Sequence, residues 1–166
     1  MGGGGGRGPY KEDLSRLEEL ARKTLREGAE PSKHNVFISF VNEDINDVKL
    51  LRGQAKNESS DIEFNDWSLR EPFDSKRAEY IKSGIKDRIE RSSVTLVYVS
   101  EHTADSKWVD WEIRESVRIG KGVIAVHKGE SPPKKMPNAL KELKIPIIRW
   151  TQKGMATAIK KASEKR

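Results

Sequence analysis

The stretch of this 166-residue chain that most invites chemistry starts at Ser100 and reads SEHTADSKWVDWEIRES. Ser100, Thr103, Ser106, Trp108, Val109, Glu112 and Ile113 follow the spacing S-x-x-T-x-x-S-x-W-V-x-x-E-I. Asp105 or Ser106 is placed to cap a helix, which puts Glu112 in its second turn. Trp108 and Glu112 are four residues apart, so a carboxylate and an indole share one helical stripe, while Val109, Ile113 and Val117 form the adjacent apolar one. On this pattern Glu112 borders the core without joining it. Alone, such a glutamate reads as a solvated helix residue paired with Arg118 or Lys107; the pattern around it raises it to the favoured catalytic candidate. Trp108 reads equally as a core anchor and as a ligand contact, and Trp111 as a surface or interface residue.

Other chemistries find little support. Zero cysteines exclude a disulfide framework, a thiolate zinc site, an iron-sulfur cluster and a cysteine nucleophile. His34, His102 and His127 fall in unrelated segments without metal-ligand spacing, so no metal is expected. No G-x-S-x-G turn suggests a serine hydrolase. After the first apolar run comes VNEDIND instead of the G-x-G-x-x-G of a redox dinucleotide-binding turn. Response-regulator receivers end their third strand in an aspartate and their fifth in a lysine, whereas the runs here end VYVS and IIRW.

The elements that must position Glu112 follow from the hydropathy pattern. From Val36 onward, short β-branched or aromatic runs alternate with helical patterns, which predicts an α/β fold: a doubly wound, five-stranded parallel sheet of flavodoxin-like order 2-1-3-4-5. The strands are expected at Val36 to Phe40, Ile62 to Phe64, Val94 to Val99, Val123 to His127 and Ile147 to Trp150. Helices are expected at Asp44 to Lys56, Ser75 to Arg91, Ser106 to Lys121 and Gln152 to Ser163. The first and third strands are nearly continuous apolar runs, as central strands are, and the second is short and polar, as edges are. Ligands in such sheets bind beyond the carboxyl ends of the strands, which nominates the loops Val41 to Glu43, Asn65 to Asp74 and Ser100 to Asp105.

Ahead of this domain, residues 1–9 form a glycine-rich leader. Residues 10–33 hold an amphipathic helix, with Leu14, Leu17, Leu20, Ala21 and Leu25 at helical spacing up to Gly28, and then a linker over Ala29 to Asn35. The main domain spans 34–166.

The formal charge of +6 is unevenly spread: +1 over residues 1–33, −4 over 34–120 and +9 over 121–166. The basic quarter has only Trp150 as an aromatic on which a base could stack, so nucleic-acid binding is not expected. No apolar run reaches the roughly 18 residues of a membrane span and there is no signal core, so a cytoplasmic protein is expected.

VFISF as the first strand, FNDWSL after the second, and the serine-tryptophan-glutamate pattern together make residues from Asn35 to about Trp150 resemble the Toll/interleukin-1 receptor (TIR) family. The resemblance is greatest to the bacterial and archaeal TIR-like domains of Thoeris-type antiphage defence. Thr103 and Val109 stand where that family often has tyrosine and cysteine, and no proline-glycine pair follows FNDWSL.

The resemblance implies cleavage of the nicotinamide–ribose bond of NAD as a substrate, with no further cofactor and with Glu112 as the essential carboxylate. Nicotinamide leaves neutral and needs no proton; positive charge grows on the ribose, and a fixed carboxylate stabilises it. Ser39 and Phe40 at the end of the first strand, Asp66 and Trp67 opening the second loop, and Trp108 are the implied binding residues. The product is ADP-ribose or a cyclic isomer of it. Partners implied are NAD, further copies through TIR–TIR contacts, and an effector that senses the product. The alternative is a non-catalytic adaptor that works by homotypic association.

Overall fold

The computed structural model describes residues 16–19, 34–58, 62–65, 72–151 and 154–164. The chain divides into two compact units, Met1–Ser32 and Lys33–Arg166. In the first, residues 16–19 are helical with Leu17 exposed; the rest of the expected leader, amphipathic helix and linker before His34 lies outside the described residues.

In the second unit, β1 (His34–Ser39), β2 (Ile62–Asn65), β3 (Val94–Val99), β4 (Gly122–His127) and β5 (Ile147–Arg149) form one parallel sheet in the order β2-β1-β3-β4-β5. This is the expected doubly wound topology. Asn42–Asp44 make a single 3-10 turn that leads into α1 (Ile45–Glu58); α2 (Ala78–Arg91), α3 (Lys107–Arg118), α4 (Asn138–Glu142) and α5 (Gly154–Glu164) follow.

Alternation along the strands sorts the core into two layers. Val36, Ile38 and Phe40 at β1 and Val94, Leu96 and Tyr98 of β3 face α1 and α5, meeting Val48, Leu51, Met155 and Ile159. On the other face Phe37 meets Ile81, Ile85 and Ile89 of α2, while Val97, Val99, Val123 and Ala125 meet Val109 and Ile113 of α3 and Leu140 of α4. Each fully buried aliphatic side chain contributes on the order of 1.5–3 kcal/mol. β4 approaches α5 so closely that a Cβ on Gly122 would lie 2.1 Å from the Ala162 carbonyl oxygen, so only glycine fits there.

Several expected boundaries shift. β1 begins at His34, inside the expected linker, because His34 and Asn35 pair with Ile62 and Glu63 of β2. α2 starts at Ala78 instead of Ser75, since Pro72 to Arg77 wind through turns closed by Ser75 N–H to Pro72 O at 2.9 Å. α3 stops at Arg118, and Gly120, at φ +83, ends it by adopting the left-handed region. The short α4 is not among the expected helices: five residues are too few to show a helical period.

Candidate active site

β1 and β3 are neighbours in the sheet, yet the chain leaves them for opposite faces, β1 toward α1 and β3 toward α3. Their carboxyl ends therefore frame a crevice, the usual ligand position in open α/β sheets. Ser106 caps α3, its hydroxyl accepting the Val109 N–H at 3.2 Å. Thr103 shapes the loop before it: its hydroxyl accepts the Ser100 N–H at 2.8 Å while the side chain is buried. The serines and threonine of the sequence pattern thus build the turn that starts α3.

Glu112 occupies the second turn of α3. Ser39, at the end of β1, donates its hydroxyl to Glu112 Oε1 at 2.8 Å across 73 residues, and both side chains are 0% exposed. The expectation that Glu112 only borders the core is corrected: it lies within it, facing the sheet. Arg118 pairs instead with Glu115, and Lys107 is exposed. One turn further on, Ser116 joins Thr95 of β3 through their hydroxyls at 2.8 Å and donates to the Glu112 carbonyl at 2.7 Å. Val117, expected on the apolar stripe, is 37% exposed, and Ser116 holds the inward position in its place.

A cleft of about 440 Å³, within the range of small-molecule sites, lies beyond the carboxyl ends of β1 and β3. Val41, Asn42 and Glu43 after β1 form one wall, and His102, Asp105 and Ser106 after β3 the other; Pro72 and Trp108 complete it. Two of the three nominated loops therefore meet, with Pro72 coming from the third. Glu112 and Ser39 are not among the residues that line it; Glu112 is one helical turn from Trp108, and Ser39 two residues before Val41. A depression of about 340 Å³ adjoins the cleft, shares Asp105 and Ser106 with it, and adds Lys107, Trp111 and Asn138.

Trp108 is both core and wall. It is 8% exposed, packs edge-on against Phe73 at 4.9 Å between ring centres, and joins the α2 cluster, while it also lines the cleft. Trp111 is half-buried and meets Trp108 edge-on at 6.3 Å. Phe40 is a correction: it is 1% exposed and packs with Val48 and Leu51 on the sheet face opposite to Glu112, because consecutive strand residues point to opposite sides. Asp66 and Trp67 lie outside the described residues.

A second polar cluster at the same end of the sheet was not expected. Ser100 donates its hydroxyl to Asp44 Oδ2 at 2.5 Å, and Tyr98 donates to Asp47 Oδ2 at 3.1 Å, with Lys128 reaching Asp47 Oδ1 at 3.2 Å. Burial pushes the Asp44 carboxyl above its ordinary range; the Ser100 bond and nearby His102 pull it back, while Asp47 and Glu43 push it further up. Burial first, then the Asp47 bond, drives the Tyr98 phenol far above its usual value. The available signal was an acid directly ahead of a helix, which ordinarily reads as a cap and hides a long-range partner. Among the described residues, no cluster of three or more acids or histidines could hold a metal ion, and no helix is long and apolar enough to cross a membrane.

Residues 37–132 match the family model described as Thoeris protein ThsB, TIR-like domain. The chain belongs to that family. The match contains the last three residues of β1 and all of α3, and so both Ser39 and Glu112, and it ties the TIR-like domain to Thoeris antiphage defence. No curated protein matches the chain. Among solved structures, a Burkholderia pseudomallei K96243 protein described as pilus assembly-related is 12% identical over 81% of this chain and 92% of that one, with a TM-score of 0.49, too slight a likeness to bear on function.

Proposed function

We propose that this TIR-like domain cleaves the bond between nicotinamide and ribose in NAD and thereby generates a nucleotide signal in antiphage defence. The observation that carries the proposal is the Glu112 carboxylate, enclosed and oriented by Ser39 at the β1–β3 crevice next to a cleft of ligand size. A buried carboxylate is costly, and a plain structural position has no use for it.

In the reaction, the C1′–N bond breaks and its electron pair returns to the pyridinium ring, so nicotinamide departs neutral. The ribose is left as an oxocarbenium ion, and Glu112 stabilises that charge more strongly in the transition state than in the ground state. Holding the carboxylate in a dry setting, with Ser39 fixing one oxygen, makes it preorganised for that task. Water captures the cation, losing a proton, to give ADP-ribose; attack by an adenine nitrogen of the same molecule gives a cyclic isomer instead. The nicotinamide riboside half enters the cleft against Trp108, and the adjoining depression offers room for the adenosine half. Because Glu112 is fully enclosed, the sugar reaches it by displacing the lining between Trp108 and Val41.

The test is release of nicotinamide from NAD by the full chain, compared with Glu112→Gln, which keeps the side-chain size and the acceptor for Ser39. The wild type is expected to release nicotinamide and the variant to lose at least about a hundredfold in rate. No release from the wild type, or equal release from both, overturns the proposal and leaves the adaptor reading.

A further inference from the structure

Asp44 directly precedes α1, where a side-chain oxygen would ordinarily cap that helix, yet it reaches across 56 residues to the loop after β3. Its carboxylate takes the Ser100 hydroxyl at 2.5 Å, and that same oxygen of Ser100 accepts the His102 N–H at 3.0 Å. Asp44 is 5% exposed and Thr103, which accepts the Ser100 N–H, is 0% exposed, while Ser100 itself is half-buried, so the tie is partly shielded from water. A charge-assisted bond of this kind is about twice as strong as a neutral one.

Its position matters more than its strength. Asp44 follows Val41, Asn42 and Glu43, one wall of the cleft; Ser100 precedes His102, Asp105 and Ser106, the other wall. The tie bridges the roots of the two walls, while Ser39 and Glu112 form a separate link behind them.

We infer that Asp44 and Ser100 are positioning residues that fix the width of the cleft and so set its affinity for the dinucleotide, leaving bond cleavage to Glu112. This rests on the NAD-cleavage reading, but it makes a distinct demand: loosening the walls weakens binding before it slows chemistry. Asp44→Asn retains an acceptor for the Ser100 hydroxyl, whereas Asp44→Ala and Ser100→Ala each abolish the tie.

The experiment measures KM and kcat for NAD, together with amide exchange over residues 100–106 referenced to α5, in wild type, Asp44→Asn, Asp44→Ala, Ser100→Ala and Glu112→Gln. Asp44→Ala and Ser100→Ala are expected to raise KM about tenfold with kcat within about twofold, the loss of one charged hydrogen bond. Exchange at His102 rises in both while α5 is unchanged, and Asp44→Asn restores KM most of the way. If KM and exchange stay at wild-type values without the tie, or if kcat alone falls, the inference is wrong while nicotinamide release still supports the Glu112 reaction. If exchange at 100–106 and at α5 rise together, the tie serves general stability and the inference is again wrong. Should every protein, wild type included, release no nicotinamide, the NAD reading fails and takes the affinity role with it; selective exchange in Asp44→Ala would then show a tie that shapes the loops alone.

Discussion

α2 and α3 lie side by side on one face of the sheet and solve the same packing problem differently. α2 buries Ala78, Ile81, Ile85 and Ile89, an unbroken aliphatic stripe. α3 buries Trp108, Val109 and Ile113 but sets Glu112 and Ser116 among them. The sheet beneath answers each polar intrusion with a partner: Ser39 of β1 for Glu112, Thr95 of β3 for Ser116. α2 shows what this face asks of a helix for stability alone. What α3 adds is a polar stripe whose Glu112 end lies at the crevice where β1 and β3 diverge.

The sharpest way to break this contrast is to make α3 resemble α2. In the double variant Ser39→Ala with Glu112→Leu, both polar partners give way to apolar groups of suitable size. That exchange is expected to leave the thermal midpoint equal or higher while nicotinamide release disappears. A collapse of the fold in that variant would mean the carboxylate is architectural. The converse change, Ile85→Ala in α2, is expected to cost about 2–5 kcal/mol in denaturant unfolding, with the turnover of the folded fraction little altered.

Smaller effects refine the comparison. Ser39→Ala alone removes the donor to Glu112 Oε1 and is expected to lower kcat about tenfold, since the carboxylate loses one fixed hydrogen bond. Thr95→Val at the Ser116 end is expected to cost about 1 kcal/mol of stability with no effect on kcat, which would separate the catalytic end of the α3 stripe from its structural end.

The smallest effect concerns pH. The Asp44 carboxyl is raised in the folded chain, chiefly by burial, with Glu43, Asp47, His102 and Ser100 as the groups that face it. A raised acid binds its proton more tightly when folded. Its contribution to stability is therefore full below the ordinary aspartate value of 3.8 and fades as pH climbs through the folded value. Asp44→Asn, which has no ionisation there, is expected to gain slightly on the wild type at neutral pH and to lose that gain in acid, as read from unfolding midpoints across the range.

Much of the frame was legible in the sequence because strands and helices of this fold carry strong periods. VFISF and VTLVYV have the continuous apolar character of buried parallel strands, and the strand order followed from the fold class. The spacing of Trp108 and Glu112 placed both on one helix stripe. Depth was harder to read: periodicity gives direction around a helix but not what covers it, so Glu112 was expected at the margin of the core. Phe40 was misplaced because moving one residue along a strand reverses its face. The Asp44–Ser100 tie joins two loops that are distant in sequence, and neither residue carries a local mark of the other.

The most direct measurement is a crystal structure of the Glu112→Gln chain soaked with NAD. The nicotinamide ribose should lie in the β1–β3 cleft beside Trp108, with its C1′ and a hydroxyl within reach of the side chain at position 112. A dinucleotide seated clear of residue 112, or held on the basic C-terminal quarter, would contradict the assignment of Glu112 as the group that stabilises the ribose cation.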